Sequence, residues 1–149
     1  MNNDFYVLED LGFMTITANR LMAAFLRRRM AREGIDLTAE QWGVLVLVWN
    51  RGSIGQDELA HIACVDKTSM SRALAAMERK GLIVRTPDSI DARRKVISAT
   101  EKADELKERS RAVTEEVLAL TLKDVSPQDH ATCIRVLATV KETLRATGR

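Results

Sequence analysis

The sequence predicts a mainly α protein carrying a small β-hairpin wing, an α+β winged helix-turn-helix flanked by N- and C-terminal helices. Three observations lead there. Apolar residues recur at three- and four-residue steps over most of the chain. Residues 56–80 hold two short helical patterns meeting at a tight turn, and two runs rich in β-branched residues follow, separated by an eight-residue polar loop. Aromatics make up only 4% of the composition against 46% hydrophobic residues, so the core must rest on Leu, Val, Ile, Met and Ala, which suits helices better than a β-sandwich. A chain of 149 residues is expected to form one domain, 1–149.

The elements follow in order. Over residues 4–33, Leu8, Leu11, Met14, Ala18, Leu21, Met22, Phe25, Leu26 and Met30 repeat at helical spacing, and Gly34 is a natural stop. Thr38-Ala39-Glu40-Gln41 is a capping box: Thr38 accepts from the amide at Gln41, whose side chain reaches back. The helix it opens, about 39–50, is apolar nearly all round, from Trp42 through Val44, Leu45, Val46, Leu47 and Val48 to Trp49, and so belongs in the middle of a core. Gly52-Ser53 ends it.

A third helix spans about 56–64 with Leu59, Ile62 and Ala63 inward. Val65-Asp66 is the turn, and Asp66 caps a fourth helix, about 67–80. Met70, Leu74, Ala75 and Met77 repeat on its inner side, which leaves Lys67, Thr68, Ser69, Ser71, Arg72 and Arg79 outside; Gly81 ends it. Residues 82–86 and 95–99 read as paired strands, with Pro87 and the polar run to Arg94 at the hairpin tip. Thr100 caps a fifth helix with a heptad-like seam of Leu106, Ser110, Val113, Val117 and Leu120. Ser126-Pro127-Gln128-Asp129 starts a sixth, with Ile134, Leu137, Ala138, Val140 and Leu144 on one side, and the polar 143–149 end is expected to fray.

Helix, turn, helix, then a basic-tipped hairpin is a device for holding a duplex: one helix enters the major groove and a cationic finger reaches the backbone or minor groove beside it. Double-stranded DNA is therefore the expected partner. Lys67, Thr68, Ser69, Ser71 and Arg72 lie in the first turns of the fourth helix, where free amides and the positive dipole end favour phosphate. Short hydroxyls there approach base edges or phosphate oxygens, and Arg72 is placed to reach guanine or phosphate. In the wing, Arg93 is the candidate for insertion into a narrow A·T minor groove. Arg94 and Lys95 are candidate phosphate contacts, as is Gln56 at the start of the third helix. Asp91 would repel phosphate, so its expected work is to accept from Arg93 or Arg85 and fix the loop.

The flanking helices, 4–34 and 100–146, carry more apolar stripe than the central module, 37–99, can cover, which points to pairing with a second copy. The arginine cluster Arg27-Arg28-Arg29 with Arg32 reads as a solvated face or as dimer salt bridges.

Bulk properties narrow the remaining classes. A net charge of +2 and pI near 8.7 confine any nucleic-acid surface to a local patch. A glycine-rich phosphate loop, a metal-ligand cluster and a nucleophile–base pair of recognised spacing are all missing, so an enzyme, a metal and a cofactor are not expected. Cys64 and Cys133 read as small buried hydrophobes in a reducing cytoplasm, and His61 as a packed or partly exposed histidine. The N-terminus does not read as a secretory signal, and the most apolar window, 42–49, is too short to span a bilayer.

Specific residues carry a family resemblance. LT-x-x-QW-x-VL at Leu37 to Leu45, DELA at Asp57 to Ala60, DKTSMSR at Asp66 to Arg72, ALAAMERKGLIVR at Ala73 to Arg85, D-x-R at Asp91 to Arg93 and T-x-K at Thr100 to Lys102 together resemble the MarR family of winged-helix transcription factors. The resemblance covers about residues 8–144. It implies a cytoplasmic homodimer that represses, in some members activates, from a pseudo-palindromic operator. In many members a small aromatic or lipophilic ligand, bound between the dimerisation helices and the winged module, releases the DNA; here Arg20 and Trp42 are the candidate ligand residues. Two other readings compete: a regulator sensing thiol oxidation, and a winged helix that binds only proteins.

Overall fold

A computed structural model describes residues 10–148. Its elements are α1 (Leu11–Arg32), α2 (Ala39–Arg51), β1 (Ser53–Gly55), α3 (Gln56–Ala63), α4 (Lys67–Arg79), β2 (Ile83–Pro87), β3 (Lys95–Ala99), α5 (Glu101–Thr121) and α6 (Pro127–Thr147). The fold is mainly helical with a small antiparallel sheet, as the periodicity implies. The first turn expected for the opening helix, with Leu8, lies outside the described residues.

Caps decide most of the boundaries. Asp10 accepts from the amide of Phe13 and starts α1. Thr38 and Gln41 form the reciprocal box at α2, with N···O distances of 3.1 and 3.2 Å. Asp66 accepts from the Ser69 amide to open α4, and Ser126 accepts from Asp129 to open α6, whose first residue is Pro127. Thr100 bridges two elements, donating to the Gly81 carbonyl at 2.6 Å while accepting from the Ala103 amide.

The sheet has three strands in the order β1-β3-β2, one more than the sequence reading. Gly52, at φ +73°, turns the chain out of α2 so that Ser53 to Gly55 lie antiparallel to Ser98, Ile97 and Val96. Ile54 stacks opposite Ile97, and both are buried. On the other side of β3, β2 pairs from Ile83 with Ala99 to Pro87 with Lys95. Pro87 thus ends a strand instead of belonging to the tip, a position it tolerates because β2 is an edge.

The central core collects Met30, Ile35, Leu37, Leu45, Val48, Leu59, Met70, Leu74, Met77, Leu82, Ile83 and Ile97. α3 packs on α4, β1 and β3; α4 on β2; α2 on β1 and β3; α1 on α2. Three inward assignments shift. On α3 it is Ala60 that is buried while Ala63 is exposed, because eight residues give barely two turns. α2 buries Val44, Leu45 and Val48 but leaves Trp42, Val46, Leu47 and Trp49 half-buried. α1 buries only Leu26 and Met30, and Leu11, Met14, Leu21 and Met22 remain exposed.

The chain divides into two compact units between Thr114 and Glu115. In the first, Trp49 donates from Nε1 to Asp104 at 2.9 Å with the Lys107 ammonium 5.9 Å from its ring, and Arg109 donates to the Glu33 carbonyl. These tie the start of α5 to α2 and to the end of α1. Along α5 the inward positions are Ala103, half-buried Leu106, Ser110, Val113 and Val117, whereas Leu120, expected in the seam, is exposed. In the second unit α6 buries nothing completely: Ile134, Val136, Leu137 and Leu144 are all exposed. The helix runs on to Thr147, and Thr143 and Thr147 donate to carbonyls four residues back.

Candidate nucleic-acid interface

The first turns of α4 present Lys67, Thr68, Ser69 and Arg72 to solvent, as the spacing required. Ser71 is half-buried instead of outward. Ser69 is doubly engaged with Asp66, through its amide at 2.9 Å and its hydroxyl, which donates at 2.6 Å. Those two bonds hold the Asp66 carboxyl below its usual range. Lys67 lies 3.0 Å from Asp57 in an exposed ion pair, which shows the start of α4 beside the start of α3.

The wing loop is pinned by its own backbone. Asp88 accepts from the amides of Ile90 and Asp91 at 2.8 and 3.0 Å, and these bonds, Asp91 first, lower its pKa. The Asp88 amide donates to the Arg94 carbonyl at 3.0 Å, and the Arg94 amide to the Asp91 carbonyl at 2.8 Å. Asp91 also accepts from the Arg93 amide at 3.1 Å, with Arg93 Nε at 3.5 Å. The expectation that Asp91 fixes the loop through Arg93 matches this geometry. The Arg93 side chain is nevertheless 95% exposed.

Arg85 goes elsewhere. Its Nε and Nη2 both reach Glu78 Oε2, at 3.0 and 2.8 Å, and its amide donates to Oε1. The guanidinium pulls the Glu78 pKa down and staples β2 to the end of α4. Glu78 and Asp88 are the residues the sequence reading missed. Asp88 was findable, because an Asp two residues before an exposed amide in a Pro-containing loop is an Asx-turn signature; Glu78, seven residues from Arg85, carried no local signal.

Gln56 stands at the first turn of α3, where no side chain caps the helix, and its Oε1 is buried without a hydrogen-bond partner. A cleft of about 380 Å³ has Gln56, Asp57 and Glu58 on one wall and Asp88, Arg93, Arg94 and Lys95 on the other. The structure therefore links the candidates through one surface: the α4 start to the α3 start by Lys67–Asp57, and the α3 start to the wing across this cleft.

Arg20 is exposed on α1 and Trp42 is half-buried on α2, its Nε1 buried without a partner. Two open clefts of about 470 Å³ each lie beside the α1–α2 turn, both lined by Arg27 and Thr38; neither is lined by Arg20 or Trp42. Both cysteines are exposed, against the expectation of burial. Cys64 occupies the α3 C-cap in a left-handed conformation, φ 54°. Among the described residues no cluster of His, Cys, Asp or Glu fits a metal ion, and no helix is long and apolar enough to cross a membrane.

The carboxylate bonds give the interface a definite acid response. With Asp66 and Asp88 both below the ordinary value of 3.8, the unfolded chain binds more protons in the interval beneath it. The stabilisation is complete above that value and is lost as pH falls through the folded pKa values. The melting temperature should hold level to roughly pH 5 and decline towards about pH 3. A melt that is unchanged at the lower pH contradicts this.

The MarR family profile matches residues 37–95, from the capped start of α2 into β3. The homoprotocatechuate degradative operon repressor of Escherichia coli is 32% identical over 108 residues, 72% of this chain and 72% of that protein. The HTH-type transcriptional regulator FarR of Neisseria gonorrhoeae is 35% identical over 73 residues, 49% of this chain and 50% of its own length. Among solved structures, a cysteine-to-serine mutant of Escherichia coli MarR complexed with operator DNA superposes with a TM-score of 0.80 at 22% identity, covering 92% of this chain and 98% of the other.

Proposed function

The chain belongs to the MarR family of DNA-binding transcriptional regulators, not enzymes, and from that premise we propose how this member works. It binds a pseudo-palindromic operator as a homodimer and represses from it. A small aromatic or lipophilic effector releases the complex, with Arg20 and Trp42 as candidate contacts. The domain assignment follows: 37–99 reads DNA, while 4–34 and 100–146 pair the two copies within a single 1–149 domain.

One observation carries the reading. The exposed first turn of α4, the start of α3 and the wing cations form a linked surface, with Arg93 standing 95% clear of the protein. Helix dipole, hydroxyls and guanidinium are thereby offered together to a duplex. Lys67, Thr68, Ser69, Ser71, Arg72, Gln56, Arg94 and Lys95 are the proposed contacts; Arg85 and Asp91 act by holding the frame. Pairing is supported by the exposed apolar residues of α1 and α6, which a monomer leaves in water.

The test is selection of bound duplexes from a random pool, repeated with a panel of aromatic acids. Recovered sites should show a dyad with half-sites about 10 bp apart. Sites without symmetry contradict the dimer, and affinity indifferent to every acid contradicts the effector. Arg72→Ala should relax base choice at one position per half-site, at a cost of about 1–3 kcal/mol there. A uniform loss on all sequences would instead mark Arg72 as a phosphate contact.

A further inference from the structure

We propose that Ile90 is an apolar wedge of the wing, seated against the sugar walls of the DNA minor groove and positioning the wing beside its cations. The proposal rests on the DNA-binding reading above and adds to it a contact that is not electrostatic.

Ile90 is 96% exposed, more than any other large hydrophobic residue described; Leu21 follows at 73%. The chain does not leave it there by slackness. Asp88 Oδ1 takes the Ile90 amide at 2.8 Å and the Asp91 amide at 3.0 Å, while the 88 and 94 backbones close the loop beneath. The same bonds that set the cations therefore hold a bare hydrocarbon in water, where a serine or asparagine would suit a free turn better.

The surroundings choose the occupant. Ile90 has Ser89 and Asp91 as neighbours, followed by Ala92, Arg93, Arg94 and Lys95. A protein partner would need a contiguous apolar patch, and the neighbouring residues of the loop, Ser89 and Asp91 to Lys95, add only Ala92 to one. The minor groove offers the complementary surface, CH-rich deoxyribose edges between two rows of phosphates, and groove-binding proteins do bring apolar side chains into it, there as wedges between base steps. Arg93, Arg94 and Lys95 meet the charge and Ile90 meets the hydrocarbon. The contact releases no counterion, so it adds affinity without steepening the salt dependence.

The experiment titrates the full-length protein, wild type, Ile90→Ser, Ile90→Leu and Arg93→Ala, with one selected duplex over a salt series. Ile90→Ser should bind about tenfold more weakly with the slope of log K against log salt unchanged, because a buried side chain of this size is lost. Ile90→Leu should bind like wild type, and Arg93→Ala should flatten the slope. Replacing adenine by diaminopurine under the wing adds an amino group to the minor-groove floor. It should weaken the wild type more than Ile90→Ser. Equal binding by Ile90→Ser and wild type overturns the wedge and leaves the DNA reading standing, as does a flattened slope for Ile90→Ser or indifference of both to diaminopurine. Wild-type protein that captures no duplex overturns both.

Discussion

Arg93→Ala should weaken operator binding by about 1–3 kcal/mol per half-site, roughly tenfold or more, and lower the slope of log K against log salt by about 1.8 if the guanidinium of each of two copies neutralises one phosphate. The side chain is 95% exposed, so its removal takes nothing from the core and the melting temperature should not move. Asp91, its ionic partner at 3.5 Å, is itself half-exposed, and such a pair yields easily to a phosphate. The variant also leaves the Asp91 carboxylate facing DNA with its cation gone. Removing both, in Arg93→Ala with Asp91→Ala, should therefore restore part of the affinity unless the loop loosens, which the melt reports. Unchanged affinity together with an unchanged slope would remove the wing from the interface.

Leu74→Ala should have the largest effect on stability, a loss of about 2–5 kcal/mol, or roughly 5–15 °C in melting temperature for a chain of this size. Leu74 is fully buried on the inner side of α4, between Met70 and Met77, where the helix meets α3 and β2. Truncation leaves a cavity under the helix that carries Lys67, Thr68 and Arg72. Affinity should fall with it even though Leu74 touches no DNA, because the recognition turn loses its footing. Thermal unfolding followed by circular dichroism decides; a change of less than about 1 kcal/mol would mean α4 does not depend on this contact.

What the sequence made legible was whatever local chemistry determines. Thr38, Asp66 and Ser126 announce three helix starts because a side-chain oxygen, a free amide and a fixed three-residue spacing suffice. The inner side of α4 was readable because thirteen residues carry more than three turns of spacing. β1 was not, because three residues cannot show an alternation and its only reason to be a strand is Ile97, more than forty positions away. Cys64 misled for a different reason: the usual preference of cysteine for burial carries no information about a residue that ends a helix as its left-handed cap. Of the site, the exposed α4 turn and Arg93 were visible. The seat of Arg85 on Glu78 was not, since it needs the strand folded back on the helix. The link across the cleft from Gln56 to the wing is likewise a property of the assembled unit alone.

The strand order has one more effect. With β3 in the middle, the sheet presents two rims: one is a ribbon of three residues, and the other finishes in Pro87, which has no N–H to give. Neither rim is a good template for a foreign strand. The small sheet is thus insulated from adding a strand of another molecule at either rim.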